Sequence, residues 1–388
     1  MIIEKIDLNQ FRNYDSMTLR PHEGVNIFFG PNGSGKTNLL EAVHYCSLGR
    51  SHRLTQDINA VRIGEKGGSC CMTVSGKYGR NRIEVRLRPG ESSVKSVWID
   101  EKKVSRLSEM MGVLRCVMFS PEDLDLIKEG PAVRRRYLDM MISQMDRSYF
   151  VALQRYRAAL DQRNAILRNA RISFTEPDEM IQDFEQAMAE YAGEICEKRI
   201  RYTKILSELG KQLYRDISGR SQECFSVQYH PCFKWDGENR DAYLKALRES
   251  RSEDLRLGST SAGPHRDDLL LSLNNKNMKL YASQGQMRTA ALSLKLAQLN
   301  IFRQVTGDQP VLLLDDVMSE LDVKRRTNLL ELIEGVQAFI TCSDEGDLAD
   351  YKNRRTYQVN SVDGRAVMTE MKSGPECFSG PMKEPVFE

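Results

Sequence analysis

Lys36 and Thr37 close the run Gly30-Pro31-Asn32-Gly33-Ser34-Gly35-Lys36-Thr37, which fits the phosphate-binding pattern G-x-x-x-x-G-K-[ST]. The chemistry follows from the spacing. Three glycines let the backbone curl and turn several N–H groups toward one phosphate chain. A lysine directly after the last glycine reaches the β- and γ-phosphates, and the next hydroxyl can ligate Mg²⁺. The run therefore predicts ATP as ligand, with Mg²⁺ as its ion.

A second set of chemical groups lies far downstream. Val311-Leu312-Leu313-Leu314-Asp315-Asp316 is an apolar run ending in two carboxylates. Asp315 is predicted to help hold Mg²⁺, directly or through water, and Asp316 to orient or polarise an attacking water. Two acids after a strand are also common as a helix N-cap; their pairing with a phosphate loop favours the metal role. Between the two sets, Ser283-Gln284-Gly285-Gln286 opens a helical pattern through Leu292, Leu294, Leu296 and Leu299. Ser319-Glu320-Leu321-Asp322 follows the acidic pair directly.

These groups need particular elements to hold them. Val25-Asn26-Ile27-Phe28-Phe29 reads as a buried strand into the glycine loop, and residues 37–48 as the helix after it. The helix N-terminus adds partial positive charge facing the phosphates. The unbroken apolar run before Asp315 suits a parallel strand covered on both faces. Ile2, Ile6 and Leu8 share strand parity, so residues 2–11 read as an opening strand. Residues 71–74, 83–87 and 94–99 read as short strands separated by Gly67-Gly68, Tyr78-Gly79 and Pro89-Gly90, an antiparallel β-layer. Leu114–Phe119 reads as a further core strand, followed by Ser120 as N-cap and Pro121 at the first helical position.

From about 132 to 168, and again from about 180 to 217, the pattern is helical. Two long helices with a short connection predict an antiparallel hairpin, with heptads too irregular for a long coiled coil. Residues 218–280 read as strand-like and turn-rich, and the tail after about 372 as loosely held.

The chain of 388 residues carries 56 Lys+Arg and 54 Asp+Glu, so attraction to nucleic acid must come from local patches. Residues 50–106 hold 13 Lys+Arg against 6 Asp+Glu. Arg80, Arg82, Lys102 and Lys103 of this layer are candidate DNA contacts, although a solvated sheet face would have the same composition. A second excess runs from Arg134 to Arg171 in the helical segment, where a solvated helix face accounts for most of the arginines. There is no run of 18 apolar residues, which argues against a transmembrane helix, and the N-terminus does not resemble a signal peptide. Nine scattered cysteines without a C-x-x-C pair point to reduced thiols in a cytoplasmic protein.

Taken together, Gly30–Thr37, the Ser283–Gln286 signature, Asp315-Asp316 and the Ser319–Asp322 element resemble the ATP-binding-cassette superfamily. Within it the chain resembles the RecF family, short relatives of the SMC-type DNA-repair ATPases. The likeness is carried also by Ile6–Tyr14, Phe119–Leu124, Pro131–Arg136 and Gly263–Asp268. It implies an α/β fold: an ABC-type P-loop ATPase head with an antiparallel β-layer, plus a helical arm domain. The expected divisions are 1–120 and 256–372 for the head, 121–255 for the inserted arm and 373–388 for a flexible tail. It implies Asp315 and Asp316 as catalytic residues and Ser283, Gly285 and Gln286 as a signature that caps ATP held by a second copy, with Asp322 in the D-loop. It further implies weak, DNA-stimulated ATP hydrolysis, an ATP-dependent homodimer, and binding to duplex DNA or duplex/single-strand junctions. RecR and RecO are the implied partners, in loading RecA at gaps, with nucleoid association on DNA damage.

The chain departs from the superfamily in four places. Ala282 and Gln284 replace the leucine and first glycine of the generic signature, Asp316 replaces the usual glutamate, and Thr341 stands where a switch histidine is expected. No Q-loop glutamine follows Phe119; Glu122 or its neighbours are expected to couple nucleotide to the arm. The resemblance implies that His265 lies in a structural or nucleotide-proximal loop; sequence chemistry assigns it no role, and a lone histidine is more often structural. A small-molecule P-loop kinase would lack the signature and D-loop, a transporter cassette would lack the long helical insertion, and a structural SMC head would carry a far longer coiled coil.

Overall fold

The computed structural model describes residues 1–371 apart from 52, 55, 91–92, 174–178, 234–239, 322 and 344–353. The expected tail at 373–388 and Asp322 lie outside the described residues.

The apolar run before the glycine loop forms the strand Val25–Phe29 at the middle of a six-stranded sheet. The order across that sheet is Arg365–Met371, Arg354–Val362, Val25–Phe29, Ala338–Cys342, Val311–Asp315, Cys116–Phe119. All neighbours are parallel except the final hairpin of Arg354–Val362 with Arg365–Met371. Alternate residues of Val311–Asp315 feed two different cores. Val311 and Leu313 join Phe28, Phe339 and the β-layer; Leu312 and Leu314 join Ile27, Ile340 and the arm helices. A strand buried on both faces can be apolar throughout, which is why this one is. Each of those leucines contributes roughly 1.5–3 kcal/mol on burial.

The β-layer is antiparallel, in the order Tyr14–Leu19, Ile2–Phe11, Gly68–Gly76, Gly79–Leu87, Lys95–Ile99, Lys102–Lys103. The expected strands at 71–74, 83–87 and 94–99 lie within it. The hairpin partner Tyr14–Leu19 escapes the sequence pattern, because a six-residue strand with three polar positions, two of them adjacent, breaks the alternation. The helix Lys36–Leu48 is sandwiched between the two sheets, with Leu39, Leu40, Val43 and Tyr45 fully buried.

The helical segment expected at 132–168 is two helices, Pro131–Met145 and Arg147–Ser173. They break at Asp146, whose backbone is extended and whose carboxylate accepts from the Tyr149 N–H at 3.1 Å. The second long helix is Ile181–Ser218. Its pairing with Arg147–Ser173 is antiparallel: Ser148 meets Glu194, Arg155 meets Tyr191, and Arg163 meets Glu185. The hairpin is stitched by buried charge. Arg163, wholly buried, donates to Glu185, Asp254 and Thr260.

Residues 218–280 hold more helix than the sequence suggests. Besides the antiparallel strands Phe225–His230 and Asp268–Leu273, they form helices Arg240–Glu249 and Arg251–Leu257. Arg240–Glu249 buries Tyr243, Leu244 and Leu247, a one-face spacing too short to stand out over ten residues. Among the described residues, no helix is long and apolar enough to cross a membrane.

Candidate nucleotide-binding site

The glycine loop is shaped by contacts that exclude side chains. Gly30 and Gly35 have φ of 147° and 116°. A Cβ on Gly30 would lie 2.1 Å from the Val359 carbonyl oxygen, and one on Gly35 would lie 2.7 Å from the Asn13 side chain. Asn13 Nδ2 donates to the Ser34 carbonyl at 3.0 Å, and the Tyr14 hydroxyl donates to the Gly35 carbonyl at 3.1 Å. The turn between the first two strands of the β-layer therefore buttresses the loop from outside.

Lys36 is buried and donates to the carbonyls of Gly30 at 2.5 Å and Pro31 at 2.9 Å. Burial pulls its ammonium pKa down, against the opposing pull of Asp316 and Asp315. A desolvated cation held by neutral carbonyls is poised for an anion. Next to it, the Thr37 hydroxyl donates to Asp315 Oδ1 at 2.8 Å. The two residues expected to share Mg²⁺ are thus in contact. Burial pushes the Asp315 carboxyl up, while hydrogen bonds from Thr341 and Thr37 oppose the shift.

Thr341, where a switch histidine is expected, reaches both acids. Its hydroxyl donates to Asp315 Oδ1 at 2.8 Å and accepts the Asp316 N–H at 2.9 Å. It fixes both acids of the pair from the neighbouring strand. Asp316 has a φ of 52°, and the Ser319 hydroxyl donates to its carbonyl at 2.9 Å and its carboxylate at 3.2 Å. The acidic pair therefore diverges: Asp315 points back into the strand ends, and Asp316 is turned by a left-handed backbone.

These groups line one cleft of about 1170 Å³ that also includes Arg12, Arg53, Ile58, Asn59 and Arg62. Arg53, Ile58, Asn59 and Arg62 carry no motif, so they enter only through the fold; Arg12, from the Ile6–Tyr14 stretch, has its Nε held by Glu41 at 3.0 Å. The Ser34 hydroxyl is buried and, among the described residues, has no hydrogen-bond partner. An orphaned donor in a glycine loop beside a desolvated lysine fits a phosphate chain, and the Thr37–Asp315 pair fits its Mg²⁺.

Ser283, Gly285 and Gln286 do not line that cleft. Ser283 caps the helix Gln284–Thr306: its hydroxyl accepts the Gln286 N–H at 3.3 Å, and its own N–H donates to Gln286 Oε1 at 2.9 Å. Gln286 Nε2 donates to Glu223 Oε1 at 2.9 Å, and Glu223 also accepts from Tyr214, near the end of the long arm helix. Leu280 and Tyr281, just before the signature, are each 70% exposed.

In the segment after Phe119, Asp123 takes the buried structural role. It pairs with Lys295 of the signature helix at 2.6 Å, and that lysine also donates to the Met118 carbonyl. Glu122 is exposed and acts on Asp315 at longer range, raising its pKa. His265 is held at both ring nitrogens, Nε2 donating to the Thr260 carbonyl at 3.1 Å and Nδ1 accepting from Tyr156 at 2.7 Å. Burial pulls it down to about 4, so it is neutral and structural, as its sequence context suggests.

Of the β-layer cations, Arg80 bonds to Glu4 at 2.7 Å and Arg82 lies 3.5 Å from Glu84. Lys103, opposite Trp98, shares the outer face with Glu84, whereas Lys102 pairs with inward-facing Ile99.

Comparison with known proteins agrees with this geometry. The family model described as "RecF/RecN/SMC N terminal domain" matches residues 2–366. The chain is 36% identical over 351 residues to the DNA replication and repair protein RecF of Clostridium novyi, covering 90% of this chain and 95% of that one. It is 40% identical over 350 residues to the protein of that name from Acetivibrio thermocellus, covering 89% and 94%. A solved structure described as the recombination mediator protein RecF-ATP in the RecFOR pathway superposes with a TM-score of 0.87 at 33% identity, covering 95% and 97%. An Smc head with an extended coiled coil from Pyrococcus furiosus shares the fold, with a TM-score of 0.57 at 16% identity over 95% and 96%. The chain belongs to the RecF/RecN/SMC N-terminal domain family and, within it, to the RecF proteins of DNA replication and repair.

Proposed function

We propose that this chain is an ATP-driven DNA clamp of recombinational repair and replication restart. One observation carries the reading. The phosphate loop and the acidic pair meet in one cleft, while the signature lies outside that cleft beside exposed Leu280 and Tyr281. A signature that does not line its own nucleotide cleft is arranged to cap the nucleotide of a second copy.

In that arrangement Gly30–Thr37 cradle the phosphates, Lys36 turns its ammonium from the loop carbonyls to the β- and γ-oxygens, and Thr37 and Asp315 hold Mg²⁺. The ion neutralises phosphate charge when bound. Asp316 orients the attacking water, and Ser283, Gly285 and Gln286 close the site in trans. Asp322 of the D-loop acts with them. Hydrolysis is weak and stimulated by DNA. The head comprises 1–120 and 256–372, the arm 121–255. The clamp takes duplex DNA or duplex/single-strand junctions, its β-layer cations Arg80, Arg82, Lys102 and Lys103 facing the backbone. It works with RecR and RecO to load RecA at gaps in the cytoplasm, on the nucleoid.

Sedimentation with and without Mg-ATP tests this. Wild type should shift from monomer to dimer on adding ATP, and Ser283→Arg should bind ATP yet stay monomeric, because a bulky cation cannot seat against the opposite nucleotide. A Ser283→Arg dimer in ATP would refute the trans arrangement.

A further inference from the structure

Between the arm helices and the Gly263–Asp268 turn lies a second cleft, of about 250 Å³, lined by Arg135, Arg136, Arg157, Arg199, Asp139 and His265 among others. Its acids are already engaged. Asp139 Oδ1 accepts from Tyr149 and Arg199, and its Oδ2 accepts from Arg157 at 3.0 Å. Asp267 accepts from Arg199 at 3.3 Å, from Tyr229 and from the Cys232 N–H. Asp268 is taken by Arg134 at 2.7 Å. His265 is held neutral.

The cations are in excess. Among the described residues, Arg135 donates only to the Asp267 backbone carbonyl, at 2.6 Å. Arg136 is exposed and, among the described residues, has no carboxylate within ion-pair distance. Arg50, near the cleft but not lining it, also has no carboxylate within ion-pair distance among the described residues, and desolvation, then repulsion from Arg136 and Arg157, shifts its pKa down. Crowded guanidiniums with open forks are costly without an anion and complement phosphate oxygens in a planar, two-pronged geometry. The contrast with the β-layer is direct: there, Arg80, Arg82 and Arg86 each sit beside Glu4 or Glu84.

We propose that this arginine cleft binds a phosphate group, delivered as a backbone phosphodiester of DNA. Arg136 and Arg157 stand exposed at its mouth, with Arg157 51% exposed, so the cleft is open to a long polyanion rather than closed around a small one. It is also joined to the nucleotide cleft. Arg53 lines that cleft and a neighbouring cavity of about 490 Å³, and Arg136 lines the same cavity and the arginine cleft. A strand held by Arg50 and Arg136 would thus lie next to the groups that hold ATP. The proposal rests on the reading of this chain as a DNA-binding protein.

The test is fluorescence anisotropy of a short labelled duplex, titrated with full-length wild type, Arg136→Glu, Arg50→Glu/Arg136→Glu and Arg136→Lys over a range of salt. Among the described residues both targeted arginines lack carboxylate partners, so melting temperature and uptake of a fluorescent ATP analogue should match wild type. The double variant should bind duplex at least tenfold more weakly, with a log–log salt slope shallower by about 2, near 0.9 per lost phosphate contact. Arg136→Lys should keep most of the affinity. Equal affinity and slope for wild type and the double variant would overturn the arginine cleft while leaving DNA binding intact. Failure of wild type to bind duplex would overturn the DNA reading and this proposal together. Calorimetry with inorganic phosphate separates the two sources of the ligand: phosphate uptake lost in the double variant, with duplex affinity unchanged, would make this a free-anion site and refute the DNA assignment.

Discussion

The Thr37 hydroxyl donates to Asp315 Oδ1 across 2.8 Å, joining residues 278 positions apart in the chain. That contact places the end of the glycine loop against the end of the acidic strand without a ligand to hold them. The two residues proposed to share Mg²⁺ are therefore already in place, and the cost of burying the Asp315 charge in the free protein is proposed to turn into a gain once the ion is held.

Asp315→Asn separates the two signs. The buried carboxyl is pushed up, so its ionised form is disfavoured by the fold and stability falls as pH rises through its titration. The amide keeps an oxygen for Thr37 and Thr341 and carries no charge. The variant should melt at or above the wild-type temperature at neutral pH, yet lose at least tenfold in Mg²⁺-dependent ATP affinity. A large drop in the melting temperature of the free protein would contradict this account.

Lys36→Ala removes the cation that neutralises the phosphates. It also removes a buried charge along with its two carbonyl contacts, so these effects partly cancel in the free protein. Nucleotide affinity should fall beyond detection in equilibrium dialysis while the ligand-free melting temperature changes by a few degrees at most. ATP uptake at the wild-type level would remove this lysine from the site.

Asp316→Asn should bind ATP, fail to hydrolyse it and accumulate as dimer. Asparagine tolerates the left-handed φ of 52°, so the backbone turn survives. Phosphate release and sedimentation read the two effects separately, and turnover at the wild-type rate would assign the water to another group.

His265 should make the arm–head junction acid-sensitive. Burial, with Arg266, Arg135 and Arg163 nearby, lowers its pKa to about 4, against the Thr260 carbonyl. Between that value and the ordinary 6.5 the unfolded chain binds a proton that the folded chain refuses. Stability is then fully present above about 6.5 and drains away as pH falls toward 4, by at most about 3 kcal/mol. His265→Gln, measured by urea unfolding at the two ends of that window, should lose distinctly less than wild type. Parallel losses would show that other groups carry the acid sensitivity.

Charge reversal of Arg80, Arg82, Lys102 and Lys103 should weaken duplex binding across sequences and flatten its salt dependence by about 2 to 4. Fluorescent ATP uptake should be untouched. Since Arg80 and Arg82 already sit beside acids, the lower figure is expected. An unchanged slope would take the β-layer out of the DNA surface, and equal duplex affinity with ATP and ADP would uncouple DNA from the dimer.

Much of this was legible in the residues, for physical reasons. The glycine loop, the apolar Val311–Asp315 and the long arm helices are local patterns with strong periodicity or fixed spacing. What the sequence hides is set by distance. Asn13 and Tyr14 support the loop from a turn more than twenty residues away, and nothing in their spacing says so. Thr341 was visible only as a missing histidine, and its contacts with Asp315 and Asp316 supply the reason it can stand there. The arm arginines look alike along the helix. Only packing separates Arg163, buried between two acids, from Arg136, which has none within ion-pair distance among the described residues.

The strand order of the main sheet has a consequence for synthesis on the ribosome. Val25–Phe29 lies between Ala338–Cys342 and Arg354–Val362, and Gly30 packs against Val359. The glycine loop is translated about 300 residues before either flanking strand. At about 5–20 residues per second, the loop waits tens of seconds for its neighbours. A nascent or prematurely ended chain would therefore carry the whole motif and still be unable to take up ATP, so incomplete products could not compete with finished ones for nucleotide or for a dimer partner.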